Sequence, residues 1–198
     1  VLTYWSHQDA LVQTYTLPYV RIIRKIISSK SKLYLVTFDS NNYPIGKSEE
    51  KKIKQELLNE GIRWIRFHYF PLGIKPILFA PFQFLKLWTI CFCQKINFIH
   101  AWCTPAGMLG YILSKITKAS LIVDSYEPHA EAMVENGSWK KKSIAFKLLF
   151  YFEKKISHHA EFLIAASSGM EKYAEDKYGI KNKTIYVKPA CVNPHDFS

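Results

Sequence analysis

Glycine is scarce in this chain, with 8 in 198 residues, and neither a G-x-G-x-x-G nor a G-x-x-x-x-G-K-[ST] pattern occurs. Backbone can approach a phosphate closely only where no Cβ stands in the way. That absence excludes a nicotinamide-dinucleotide fingerprint and a P-loop NTPase. Cysteine is also sparse: Cys91, Cys93, Cys103 and Cys191 form no C-x-x-C pair, and no histidine spacing completes a zinc site. His158 and His159 are adjacent rather than one helical turn apart, a poor metal pair, so no metal is expected. Three of the cysteines lie in apolar or strand-like surroundings, which predicts buried thiols and a reducing, cytoplasmic compartment. A long clean hydrophobic run is missing as well. Pro76–Cys93 approaches bilayer length, but Pro81, Gln83 and Lys86 interrupt it, which predicts a buried or interfacial helix. The chain opens at Val1 inside an apolar run with neither an initiator Met nor a charged leader, as expected of a trimmed chain.

Acidic residues are few, 16 against 27 Lys+Arg, for a net charge of +11. A polyanionic partner follows: a phosphorylated ligand, an anionic membrane surface or nucleic acid. The charge is uneven, with 14 basic and 6 acidic residues before residue 100 and 13 and 10 after it. The apolar fraction of 48% is that of a globular protein and excludes a disordered basic tail. The length suits one domain, whereas a complete two-domain enzyme of the nucleotide-sugar kind needs more chain.

Strand-like and helix-like segments alternate. Strands are expected at Val1–Ser6, Lys32–Phe38, Ile62–Phe67, Asn97–Ala101, Ser120–Val123, Phe162–Ala166 and Thr184–Val187. Helices are expected at 11–27, at 48–59 before Gly61, around 78–94, and from a Thr104 cap with Pro105 in the first turn. A long basic helix is expected at 138–157, with a core face of Ile144, Leu148, Phe152 and Ile156, and a short helix from the Ser168–Glu171 capping box to Gly179. Several strands read as continuously apolar, as in a parallel sheet covered on both faces. The expected fold class is therefore α/β: a doubly wound, mostly parallel sheet of about seven strands with helices on both faces.

In such sheets ligands sit at the carboxyl ends of the strands. After the first strand, His7 and Asp9 read as surface-loop residues. After the fourth, His100, Trp102 and Thr104 line the sheet edge, and Gly107 would let a ligand oxygen approach the first helical turn. The strongest polar concentration follows the fifth, at Asp124-Ser125-Tyr126-Glu127-Pro128-His129. A carboxylate there accepts hydrogen bonds from hydroxyl groups, and a histidine can donate or accept. Lys140, Lys141, Lys142, Lys147, Lys154 and Lys155 give the long helix a basic side able to lie against anionic lipid.

Four stretches together resemble one family. IHAWCTPAGMLGYILSK, ASLIVDSYEPHAE, FEKKISHHAEFLIAASSGMEKYAEDKYGI and TIYVKPACVNPHDFS are similar, in order and spacing, to the N-terminal domain of family 4 glycosyltransferases, retaining enzymes of the GT-B type. They cover about half the chain. The resemblance implies a Rossmann-like N-terminal domain at 1–190 and, at 191–198, the start of a linker to a second domain. It implies a nucleotide-sugar as donor substrate, no cofactor, and a polysaccharide or lipid-linked acceptor positioned by this domain. Glu127 carries over from the family's D-x-H-E segment; Tyr126 stands in place of its histidine, and His129 lies two residues on. The family's glycines after the first strand have no counterpart in Ser6-His7-Gln8-Asp9. Two E-x₇-E matches, Glu127/Glu135 and Glu153/Glu161, lie outside the domain that carries that motif and are coincidental.

The residues expected to bind substrate are therefore His100, Trp102, Thr104, Tyr126, Glu127 and His129, with Glu127 and His129 as catalytic candidates. The expected setting is cytoplasmic, with peripheral association at the inner face of the membrane. The alternative is a non-catalytic membrane-surface or interaction module using the basic amphipathic helix. Nucleic acid is not expected, since no RRM, zinc-finger or helix-turn-helix pattern occurs.

Overall fold

A computed structural model describes residues 1–69, 74–181 and 183–188, with backbone alone at 74–78. Cys191 and the 191–198 segment lie outside the described residues. The chain divides into two compact units, Val1–Cys93 and Gln94–Ser198.

In the first unit, β1 (Leu33–Asp39) and β2 (Ile62–His68) pair in parallel, joined by α2 (Lys47–Asn59). Six of the seven β1 residues are buried, so this strand reads as an apolar run rather than an alternation. A π-helical turn, Val12–Thr16, leads into α1 (Leu17–Ile26), whose Leu17 and Val20 join Leu33, Leu35, Leu57, Ile62 and Trp64 in one core. Gly61 carries φ +77 after α2, a conformation glycine adopts without strain. The expected first strand is reduced to one parallel bridge, Leu2 to Val36, flanked by Thr3 N–H to Val36 O, Val36 N–H to Val1 O and Phe38 N–H to Trp5 O. Among the described residues six strands form where seven are expected. α3 (Ile74–Cys93) contains Pro81. No helix among the described residues is long and apolar enough to cross a membrane.

The second unit is a four-stranded parallel sheet in the order β3 (Phe98–Trp102), β4 (Ser120–Asp124), β5 (Phe162–Ala165), β6 (Ile185–Val187). The connections are α4 (Cys103–Thr117), then α5 (His129–Glu135) with α6 (Ile144–His159), then α7 (Gly169–Tyr178). Spatial order follows chain order without reversal, so right-handed crossovers stack these helices on one face. Ile99, Ala101 and Leu121 meet α4 at Gly110, where an added Cβ would stand 3.0–3.3 Å from all three. Gly110→Val should therefore cost about 2 kcal/mol through overpacking. Urea unfolding checks this.

Gly107 belongs to the same packing. An added Cβ there would stand 3.2 Å from Ile156 Cδ1, so the glycine faces α6 rather than a ligand. The cap of α4 is Trp102, not Thr104, and Thr104 is buried. The basic segment is not one helix from residue 138: residues 138–143 are turn and irregular chain, and α6 starts one residue after Ser143, whose hydroxyl accepts from Phe146 N–H. The face of α6 that enters the core is Phe146, Leu149, Glu153, Ile156 and Ser157, while Ile144 and Leu148 are exposed. At α7, Ser168 holds the cap position without a side-chain bond, and Gly179 ends the helix at φ 71. Of the described cysteines only Cys103 is buried; Cys91 is half-buried and Cys93 exposed.

Candidate functional site

Along β3, residues two apart share a face. His100 and Trp102 therefore stack, with ring centroids 5.7 Å apart and planes 13° off parallel. They lie on the sheet face opposite Ile99 and Ala101, which pack on α4. Asp124, the last residue of β4, is in register with Trp102. Its carboxylate gathers three donors: His100 Nε2 at 3.2 Å and Lys188 Nζ at 2.5 Å on Oδ2, and the Ser125 N–H at 2.7 Å on Oδ1. Lys188 follows β6, and its ammonium also sits 4.4 Å from the centroid of the Trp102 ring. One lysine thus reaches from the end of β6 across β5 to β4 and β3.

Burial raises the cost of ionising Asp124, but the bonds from His100 and Lys188 outweigh it and hold the carboxyl below its ordinary range. Burial lowers the pKa of His100 against the opposing pull of Asp124, so the ring is neutral and donates Nε2–H. The charged pair is Lys188 with Asp124. Burial pushes the Cys103 thiol up, aided by the Glu127 carboxylate, so this cysteine is no thiolate nucleophile.

Backbone strain marks the same strand exits. Cys103 (φ 62) and Ser125 (φ 50) are non-glycine residues in the left-handed region directly after β3 and β4. Such conformations cost about 1 kcal/mol or more and cluster at functional sites. Beyond Ser125 the chain reaches Glu127, half-exposed, whose Oε1 lies 3.1 Å from His129 Nδ1. His129 opens α5, and the carboxylate of Glu153 lies beneath that opening. It accepts from the Ala130 N–H at 2.8 Å and from the Tyr178 hydroxyl at 2.9 Å.

The six residues expected at the site separate accordingly. His100 and Trp102 come together around Asp124, and Glu127 and His129 form a second, more accessible pair. Thr104 is buried in α4, and Tyr126 is a core residue whose hydroxyl meets Ser157 Oγ at 2.5 Å. Sequence reasoning missed Lys188 and passed over Asp124. An acid ending an apolar strand and a lysine following the last strand were the available signals. Among the described residues no group of three or more His, Cys, Asp or Glu is placed to hold a metal ion.

The first unit has a polar cluster of its own. Asp39, at the end of β1, accepts from the His7 N–H at 2.9 Å and from Arg66 Nε at 2.8 Å, and Arg66 Nη1 continues to Glu50 at 2.9 Å. His7 is buried against Trp64, with ring centroids 4.6 Å apart, rather than lying in a surface loop. Burial lowers its pKa.

The molecule is thus an α/β protein of Rossmann-like parallel sheets with polar side chains gathered at the carboxyl ends of its strands. No protein-family model and no curated protein matches the sequence. Among solved structures, Anabaena HepE in complex with UDP and glucose is similar, with a TM-score of 0.55 and 15% identity over 96% of this chain and 44% of that one. HepE in complex with UDP gives 0.55 and 14% over the same shares. The chain spans less than half the length of these structures. The likeness is one of fold.

Proposed function

We propose that this chain is the acceptor-side domain of a retaining, family 4 glycosyltransferase of the GT-B type. The enzyme would move a sugar from a nucleotide-sugar to a polysaccharide or lipid-linked acceptor. The observation that carries the reading is the fold shared over nearly the whole chain with HepE, a protein captured with UDP and glucose. The strand-end placement of Glu127 and His129 supports it. In this reading the donor is a substrate, no separate cofactor is needed, and nucleic acid plays no part. The remaining partner is a second domain of the same protein, and the setting is cytoplasmic.

The chemistry assigned to this domain is positioning. Glu127 accepts a hydrogen bond from an acceptor hydroxyl, and His129, oriented by Glu127, fixes a second polar group of the acceptor. The Asp124–Lys188–His100 cluster anchors the chain from which that loop departs. Stabilisation of the donor phosphates falls to the second domain.

Glu127→Ala and His129→Ala, made in a longer protein that contains this chain and its second domain, should each lower sugar transfer by about 100-fold. Both side chains are at least partly exposed, so stability should change by less than about 0.5 kcal/mol. Transfer at full rate by both variants would remove the assigned roles. Sugar transfer by the isolated 198-residue chain would overturn the division of labour.

A further inference from the structure

The outward face of α6 carries the opposite of what a solvated helix face carries. Ile144 is 85% exposed, Leu148 50% and Tyr151 54%. At 3.6 residues per turn, these three and Lys155 fall within a strip about 60° wide along the helix. Lys155 Nζ sits 5.4 Å over the Tyr151 ring. Lys147 and Lys154 lie exposed along one edge of the strip, and Lys140, Lys141 and Lys142 stand exposed just before the helix. The sole carboxylate between Ser138 and His159 is Glu153, which is turned into the core. Carboxylate ion pairs engage lysines elsewhere, among them Lys52, Lys54, Lys177 and Lys188, none of them in this set.

We propose that this face docks on an anionic lipid bilayer. Ile144, Leu148 and Tyr151 would enter the boundary between headgroups and acyl chains, and the lysines would lie at headgroup level. Two features select lipid over a protein groove. The charge is of one sign throughout, and it borders an apolar strip that runs parallel to the helix axis, as a helix lying in the plane of a membrane requires. The exposure of Ile144, Leu148 and Tyr151 leaves this strip open to a flat surface. The proposal is independent of the transferase reading.

The test is co-sedimentation of the 198-residue chain with phosphatidylcholine vesicles, alone or with phosphatidylglycerol added, at low and high salt. Binding is expected only to the anionic vesicles and should fall steeply with salt. Inorganic phosphate should compete no better than chloride at equal ionic strength. Lys147→Gln with Lys154→Gln should weaken binding about tenfold or more. Ile144→Ser with Leu148→Ser and Tyr151→Ser should do at least as much, with circular dichroism and thermal midpoint as controls of folding. The proposal is overturned if the chain ignores anionic vesicles at low salt, binds neutral ones equally, or keeps its affinity in the lysine variant. Self-association through this face without vesicle binding would also overturn it.

Discussion

Asp124→Ala should destabilise the second unit by about 3–5 kcal/mol, because it removes a buried carboxylate paired with the Lys188 ammonium and leaves its other donors without this acceptor. The carboxylate is the common acceptor for Lys188, His100 and the Ser125 N–H, and the side chain of Asp124 is 2% exposed against 22% for Lys188. Asp124→Asn retains an acceptor for the strained Ser125 turn and loses only the charge, so it should cost less, about 1–3 kcal/mol. The pH dependence follows from the lowered carboxyl pKa. The ionised form is favoured in the folded state, so its contribution is present above the unfolded value near 3.9 and is lost as pH falls through the folded value. Urea titrations across the acid range should show that loss in the parent chain and not in Asp124→Asn. Equal acid sensitivity of the two would contradict the role given to this carboxylate.

Glu153 produces the reverse dependence. Burial raises its pKa to about 7, against the opposing bonds from the Ala130 N–H and the Tyr178 hydroxyl. The protonated form is favoured in the folded state, so the contribution is complete below the unfolded value near 4.3 and is lost as pH rises through about 7. Glu153→Gln keeps an acceptor for Ala130 and should flatten that decline, leaving the variant at least as stable as the parent above pH 7. Glu153→Ala removes both acceptors from a site that is 1% exposed and should cost about 3 kcal/mol. Because Glu153 caps the start of α5, the alanine variant should also release the turn that carries His129. Accelerated amide exchange at Ala130 would report it.

Much of the architecture is legible in the residues. Six of the seven apolar segments become strands within one or two residues of their expected bounds, because each is short, apolar and closed by turn chemistry. Val1–Ser6 looks the same in composition but forms a single bridge to Val36. Composition does not report how many ladder bonds a neighbour will accept. The largest misreading concerns α6. Hydrophobicity alone selects Ile144, Leu148, Phe152 and Ile156 as the core stripe, whereas the helix is rotated to bury Glu153. That rotation follows from contacts far along the chain: the α5 backbone needs an acceptor, and Tyr178 of α7 supplies a donor. No local pattern reveals an acid buried for such a reason.

The candidate cluster is legible in part. A loop dense in polar residues after an apolar strand singles out the 124–129 segment, where Glu127 lies beside His129, and His100 and Trp102 share a strand face as their spacing requires. Tyr126 and Thr104 read as polar groups at strand exits but are buried, because polar side chains also satisfy one another inside a core. Lys188 was invisible for a geometric reason. It acts across two strands, and the strand order that brings it beside Asp124 appears only in the folded sheet.

The central claim, that this fold serves sugar transfer from a nucleotide donor, is tested most directly by one assay. A longer protein containing this chain and its second domain is incubated with a panel of UDP-, GDP- and ADP-sugars and with glycan and lipid-linked acceptors, and the products are read by mass spectrometry and anomeric NMR. The account predicts transfer from one donor class with retention at the anomeric carbon, greatly reduced in Glu127→Ala and His129→Ala. Absence of transfer from every donor, with no nucleotide-sugar bound by the intact protein, would contradict it.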